Sequence, residues 1–126
     1  MYTYNAKLDR VVDGDTVDAT VDLGFDTWKF IRIRLVGINT PESRTRDLEE
    51  KARGLAAKDR LVEIIEYNDS KCILKVSGLG KFGRALATVY VDTLSPSSQK
   101  TSITEINVNK QLIEEGHAVE YYGGKR

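Results

Sequence analysis

Two carboxylates flank a glycine in Asp13-Gly14-Asp15. Asp and Gly suit a tight turn for conformational reasons alone, but a hairpin tip also lets a carboxylate face a hard cation, which takes oxygen ligands from an open cluster. A second segment, Arg34-Leu35-Val36-Gly37-Ile38-Asn39-Thr40-Pro41-Glu42, carries a guanidinium and, a few residues on, the oxygen-bearing side chains of Asn39 and Glu42. Singly, an outward arginine is ordinary strand surface and Thr-Pro-Glu an ordinary strand exit. Together they hold what a phosphodiester requires, with cation and guanidinium set against phosphate oxygens and a carboxylate against a water. A third segment, Lys81-Phe82-Gly83-Arg84, offers a glycine that permits close backbone approach and an arginine able to set a second planar fork on phosphate.

Such residues act only if the fold brings them together. The β-branched and aromatic run 2–12, the turn at Asp13-Gly14-Asp15 and the alternating run 16–21 predict a hairpin. A turn at Gly24-Phe25-Asp26 leads into the strongest strand, 28–38, in which Ile31, Ile33 and Leu35 face one way and Arg32 and Arg34 the other. Thr40-Pro41 ends it. Asp47 is the expected N-cap of a helix running from Leu48 towards Ile65, with Glu50 completing a capping-box-like pair. Its apolar stripe is read as Leu48, Ala52, Leu55 and Val62, interrupted by Asp59. Strands at 71–77 and 84–91 flank a glycine-rich turn, a polar loop fills 92–104, and a short helix at 108–115 starts from Asn107 and stops at Gly116. The tail from Tyr121 is expected to fray. Five short strands with a helix after the third predict an α+β fold, a small closed Greek-key β-barrel with helices, in a single domain covering residues 1–126.

The composition narrows the function classes. With 126 residues, 40% hydrophobic and 30% charged, the chain is neither disordered nor membrane-embedded. Lys plus Arg balances Asp plus Glu at 19 each, so any footprint for an acidic partner is local. Cys72, the only cysteine, sits in an apolar run and reads as a small buried hydrophobe. His117, the only histidine, has no second His or Cys nearby, which argues against zinc. The N-terminal residues lack a secretory apolar stretch and no run approaches the roughly 20 apolar residues of a membrane span, so a cytoplasmic location and no membrane partner are expected.

The order Asp-Gly-Asp-Thr, Arg with Asn-Thr-Pro-Glu, and Lys-Phe-Gly-Arg resembles the staphylococcal nuclease-like (thermonuclease) family over residues 5–122. The resemblance implies an OB-fold and a calcium-dependent phosphodiesterase that acts on DNA or RNA, single-stranded or frayed, leaves 3′-phosphates and works as a monomer. By position, Arg34, Glu42 and Arg84 match the catalytic residues. Asp15, Thr40 through its carbonyl, Asn39 and Glu42 match the calcium site, and Asp13 stands behind it. Lys81, Phe82, Tyr122 and the neighbouring Arg32 fall to the substrate. Two departures stand out: Asn39 replaces the usual second calcium aspartate, which removes one negative charge, and Phe82 replaces the more typical tyrosine.

The rival reading is an OB-fold module that holds single-stranded nucleic acid without cutting it. Asp15 and Glu42 discriminate, because carboxylates facing a polyanion serve a metal nuclease and penalise a pure binder. A protein-interaction domain, the third reading, leaves the set of Arg34, Glu42 and Arg84 without a purpose.

Overall fold

The computed structural model describes residues 2–80, 83–95 and 106–121. Strands β1 (Tyr2–Asp13), β2 (Thr16–Asp22) and β3 (Trp28–Leu35) form an antiparallel meander, as their period-two patterns require. Strands β5 (Lys71–Leu79) and β6 (Ala85–Val91) form a second hairpin, and β5 pairs antiparallel with β1. A short parallel pairing of Ile33–Leu35 with Ala85–Ala87 joins β3 to β6 and closes five strands into a barrel, the expected OB-fold.

The strand expected over 28–38 is broken. β3 ends at Leu35, the chain turns through Val36 and Gly37, and Ile38–Asn39 forms a separate strand, β4, in a second small sheet with β8 (Val119–Glu120). That pairing, together with the Tyr121 amide donating to the Gly37 carbonyl at 2.9 Å, holds Tyr121 where fraying was expected. The remaining strand, β7 (Ile106–Asn107), pairs with β6 and leads directly into helix α2 (Val108–Glu114). Asn107 caps α2 as expected, its side chain accepting from the Lys110 amide. Beyond Ser95 the polar loop lies outside the described residues.

Helix α1 (Leu48–Tyr67) starts where the sequence indicates, with the Asp47 carboxylate accepting from the amides of Glu49 and Glu50. Two other expectations fail. The Glu50 carboxylate accepts from the Glu42 amide at 3.2 Å, while the Asp47 amide is served by Thr45, so the reciprocal half of the capping box is replaced by a tether to the site loop. The buried stripe is Gly54, Ala57, Leu61, Ile64 and Ile65, while Leu48, Ala52 and Leu55 are exposed. In the first half of the helix the buried positions are the small Gly54 and Ala57, because there the backbone of Pro41 and Glu42 and the hairpin tip at Gly14 approach closely, and large apolar residues follow only from Leu61. A Cβ on Gly54 would lie 2.5 Å from the Glu42 carbonyl oxygen and 2.7 Å from that of Pro41.

Leu61, Ile64 and Ile65 of α1 and Val108 and Leu112 of α2 join the barrel interior in one core with Ile33, Leu35, Leu74 and Val89. Cys72 belongs to it, and burial pushes its thiol up to about 12, which leaves it inert. Two buried asparagines satisfy backbone groups where elements meet. Asn68 bridges the end of α1 to Asp92 and Thr93, and Asn109 bonds Val89, Ala87 and Val36. Arg60 on α1 forms a two-pronged pair with Glu115 just after α2, at 2.6 and 3.0 Å. No helix among the described residues is long and apolar enough to cross a membrane.

Two predictions follow from this packing. Gly to Ala in a helix interior ordinarily stabilises by roughly 0.5–1 kcal/mol, whereas Gly54→Ala is expected to destabilise by about 1–3 kcal/mol because the new methyl meets backbone. A urea midpoint that rises on this substitution refutes the close-approach account. The Arg60 hydrogen bond holds the Glu115 carboxyl below its ordinary range, against the opposing effect of burial. Its contribution is therefore complete above the unfolded-state pKa and lost as pH falls through the lower folded value. Glu115→Gln should lower stability at neutral pH by about 1 kcal/mol and flatten the acid-side decline, as thermal melts across pH would register.

Candidate active site

The tip of the β1–β2 hairpin, the end of β3, strand β4 and the start of β6 converge on one recess of about 310 Å³. Asp13, Asp15, Arg34, Asn39, Thr40, Glu42, Arg84 and Tyr121 line it. Antiparallel register sets Thr16 opposite Arg34, and the Leu35 amide donates to the Asp15 carbonyl at 2.8 Å. The hairpin tip is thereby locked to the strand that carries the arginine.

Asp15 is buried, and both of its carboxylate oxygens accept hydrogen bonds. One carboxylate oxygen accepts from the Thr16 hydroxyl and the other from the Thr40 amide, each at 3.0 Å. The second oxygen also lies 3.5 Å from the Arg34 guanidinium. Arg34 is oriented from several sides, donating to the Leu35 carbonyl at 2.9 Å, to the Asp15 carbonyl at 3.4 Å and to the Asn39 side-chain oxygen at 2.8 Å. Asn39 thus serves to aim the arginine. The Asp13 carboxylate accepts a hydrogen bond from the buried Ser43 hydroxyl, which ties the hairpin to the loop beyond Glu42.

The Pro41–Glu42 backbone rests directly on α1 at Gly54, and the Glu42 amide is tethered by Glu50, so the exposed Glu42 side chain extends from a fixed backbone. Gly14 fits the same contact from the other side: a Cβ there would lie 2.8 Å from that of Ala57 and 3.0 Å from the Thr40 methyl. Arg84 is half-buried at the mouth of β6, in a turn closed by the Gly80 amide donating to the Arg84 carbonyl at 2.7 Å.

The ligands on offer are all oxygens: the carboxylates of Asp15 and Glu42, the Asn39 amide oxygen and the Thr40 carbonyl. That set suits a hard divalent cation and excludes a zinc-type nitrogen and sulfur site. It is low in charge, and among the described residues no three His, Cys, Asp or Glu side chains group together in the manner of a metal cluster.

Residues 32–126 match the family described as Staphylococcal nuclease homologue. The chain belongs to that family. It is 37% identical over 104 residues to the SPbeta prophage-derived endonuclease YokF of Bacillus subtilis (strain 168), covering 80% of this chain and 32% of the relative. Endonuclease YncB of the same organism is 34% identical over 104 residues, 80% of this chain and 45% of the relative. Protein ParB of Escherichia coli is 30% identical over 113 residues, 89% of this chain and 54% of the relative. The chain spans about a third to a half of the length of these relatives.

Of the residues singled out in the sequence, Asp13, Asp15, Arg34, Asn39, Thr40, Glu42 and Arg84 meet in the recess. Arg32 does not line it; it lies two positions down β3, paired with Asp18. Lys81, Phe82 and Tyr122 lie outside the described residues. Sequence reasoning overlooked Ser43 and Gly54. A glycine inside a strong helical run, twelve residues after Thr-Pro-Glu, was the one available signal for the second, whereas nothing local marks the Ser43 partner.

Because Asp15 serves the buried Thr40 amide, removing its acceptor should unfold the site as well as empty it of charge. Asp15→Ala is expected to cost about 1–3 kcal/mol and Asp15→Asn distinctly less, since the amide oxygen still accepts. Equal urea midpoints for the two variants would show that the Thr40 bond is not what fixes the carboxylate.

Proposed function

We propose that this domain hydrolyses phosphodiester bonds of DNA or RNA with calcium bound in the recess, leaving 3′-phosphates. The observation that carries the reading is the convergence of Arg34, Arg84 and Glu42 with Asp15, Asn39 and Thr40 on one polar recess. A pure binding module has no use for carboxylates there. The endonuclease names of the YokF and YncB relatives point the same way.

Calcium would be held by the Asp15 and Glu42 carboxylates, the Thr40 carbonyl and the Asn39 amide oxygen. Bound, it supplies positive charge against a phosphate oxygen and a template for the substrate. Arg34, held in orientation by Asn39 and two carbonyls, presents a planar fork to the same phosphate, and Arg84 reaches it from the neighbouring strand. Their charges are worth most in the transition state, when negative charge builds on the equatorial oxygens. Glu42 accepts a hydrogen bond from the attacking water and aligns it, or takes its proton as attack proceeds. The water oxygen bonds to phosphorus as the bond to the 5′-oxygen breaks, the water's proton passing to Glu42 or to solvent and the departing 5′-oxygen taking a proton from solvent to leave as a 5′-hydroxyl. The Asn39 substitution leaves the cation with fewer charged ligands, so weak calcium affinity goes with this reading.

A second reading, binding without cleavage, draws on the same low carboxylate count. Incubating the chain with single-stranded DNA and RNA, with calcium or with a chelator, separates the two. Cleavage that the chelator abolishes, and that Glu42→Gln and Arg84→Met each lower by about a hundredfold or more at unchanged melting temperature, supports the nuclease. Binding without turnover in saturating calcium overturns it.

A further inference from the structure

Strand β3 places Trp28, Phe30, Arg32 and Arg34 on one face, at every second position. Its alternate residues Ile33 and Leu35 are buried in the core, so this is the barrel's outer surface. Trp28 is 56% exposed and Phe30 78% exposed, large apolar surfaces that the packing of this chain does not use. Successive members of the row stand about 7 Å apart along the strand, and the row runs directly to the arginine of the recess.

The acids beside this row are already engaged. Asp18 pairs with Arg32 at 2.8 Å, and that hydrogen bond holds its carboxyl below the ordinary range. Asp22 accepts from the Gly24 amide at 2.8 Å, and Asp9 from the Thr20 hydroxyl at 2.7 Å. Arg32 keeps nearly half of its side chain exposed while paired.

We propose that Trp28, Phe30 and Arg32 form a track for the single-stranded nucleic acid that flanks the phosphate held at Arg34. The rings stack on bases and Arg32 meets the backbone. The assignment rests on the nuclease reading of the recess for its direction, and on two features of its own, the exposed rings and their continuity with Arg34. Base stacking on aromatic rings is tolerant of sequence, so the track lengthens the contact without selecting bases.

Trp28 is the only tryptophan, which makes its emission a direct probe. The full chain is titrated, in chelator, with an oligothymidylate of about ten nucleotides and with a thymidine dinucleotide, and turnover of both is then measured in calcium. The longer strand is expected to quench Trp28 and the dinucleotide to leave it unchanged. Phe30→Ala should weaken binding of the longer strand, and lower its kcat/KM, by about tenfold, leave dinucleotide turnover unchanged, and be rescued by Phe30→Tyr. Because the side chain is exposed, loss of the fold is not expected, and an unchanged melting temperature verifies this. Quenching that Phe30→Ala weakens, in a protein without turnover, upholds the track and removes the nuclease reading. Turnover with neither quenching nor an effect of Phe30→Ala removes the track and keeps the nuclease. A failure of the longer strand to bind overturns the track, as does a dimer in sedimentation that Phe30→Ala dissociates at unchanged strand affinity.

Discussion

The contact on which the site depends is backbone against backbone: the Pro41 and Glu42 carbonyl groups lie on helix α1 where Gly54 has no side chain. It sets the depth at which Glu42 leaves the chain. The hairpin tip joins the same contact through Gly14 and Ala57, so both acidic segments are positioned from one turn of α1. Side-chain fit adjusts to a lost methylene by local repacking, but two peptide units in contact have no rotamer to change. The helix therefore acts as a rigid gauge for the loop and the hairpin tip that line the recess, and its small residues matter more there than its leucines.

Polar groups inside the molecule follow the same logic. Asn68 and Asn109 each satisfy several main-chain groups where regular pairing stops, and Asp15 does so for Thr40. Each neutral bond adds about 1 kcal/mol, yet an unmet amide or carbonyl in the same place costs about 1–3 kcal/mol. These residues consequently fix where loops lie more than they stabilise the whole. At Arg34 the arrangement becomes functional, because the contacts that satisfy the guanidinium also aim it.

Features written in local sequence were legible. The alternation of Ile and Arg along β3 gave its two faces, and Asp47 and Asn107 marked helix starts, because an N-cap bonds amides only two or three residues away. Residues of the first two motifs line one recess together with Arg84 of the third. What local pattern could not carry was contact between distant segments. The helix stripe was misassigned because its register answers to a backbone approach from Glu42, and Glu50 left its capping role because that same loop offered a second amide. The break after Leu35 depends on strand β8, over eighty residues away, for the pairing that makes β4 a strand at all.

Barrel closure rests on the brief parallel match of Ile33–Leu35 with Ala85–Ala87, segments roughly fifty residues apart. Loop-closure entropy delays pairings of this kind in folding, after local hairpins and helices have formed. Arg34 lies within one partner of that match and Arg84 immediately before the other. The two arginines are therefore brought onto neighbouring strands by the same late pairing that completes the barrel, whereas the β2–β3 register alone already sets Arg34 beside the acidic hairpin. Barrel closure is thus also the step that adds Arg84 to the recess lined by Asp15 and Arg34.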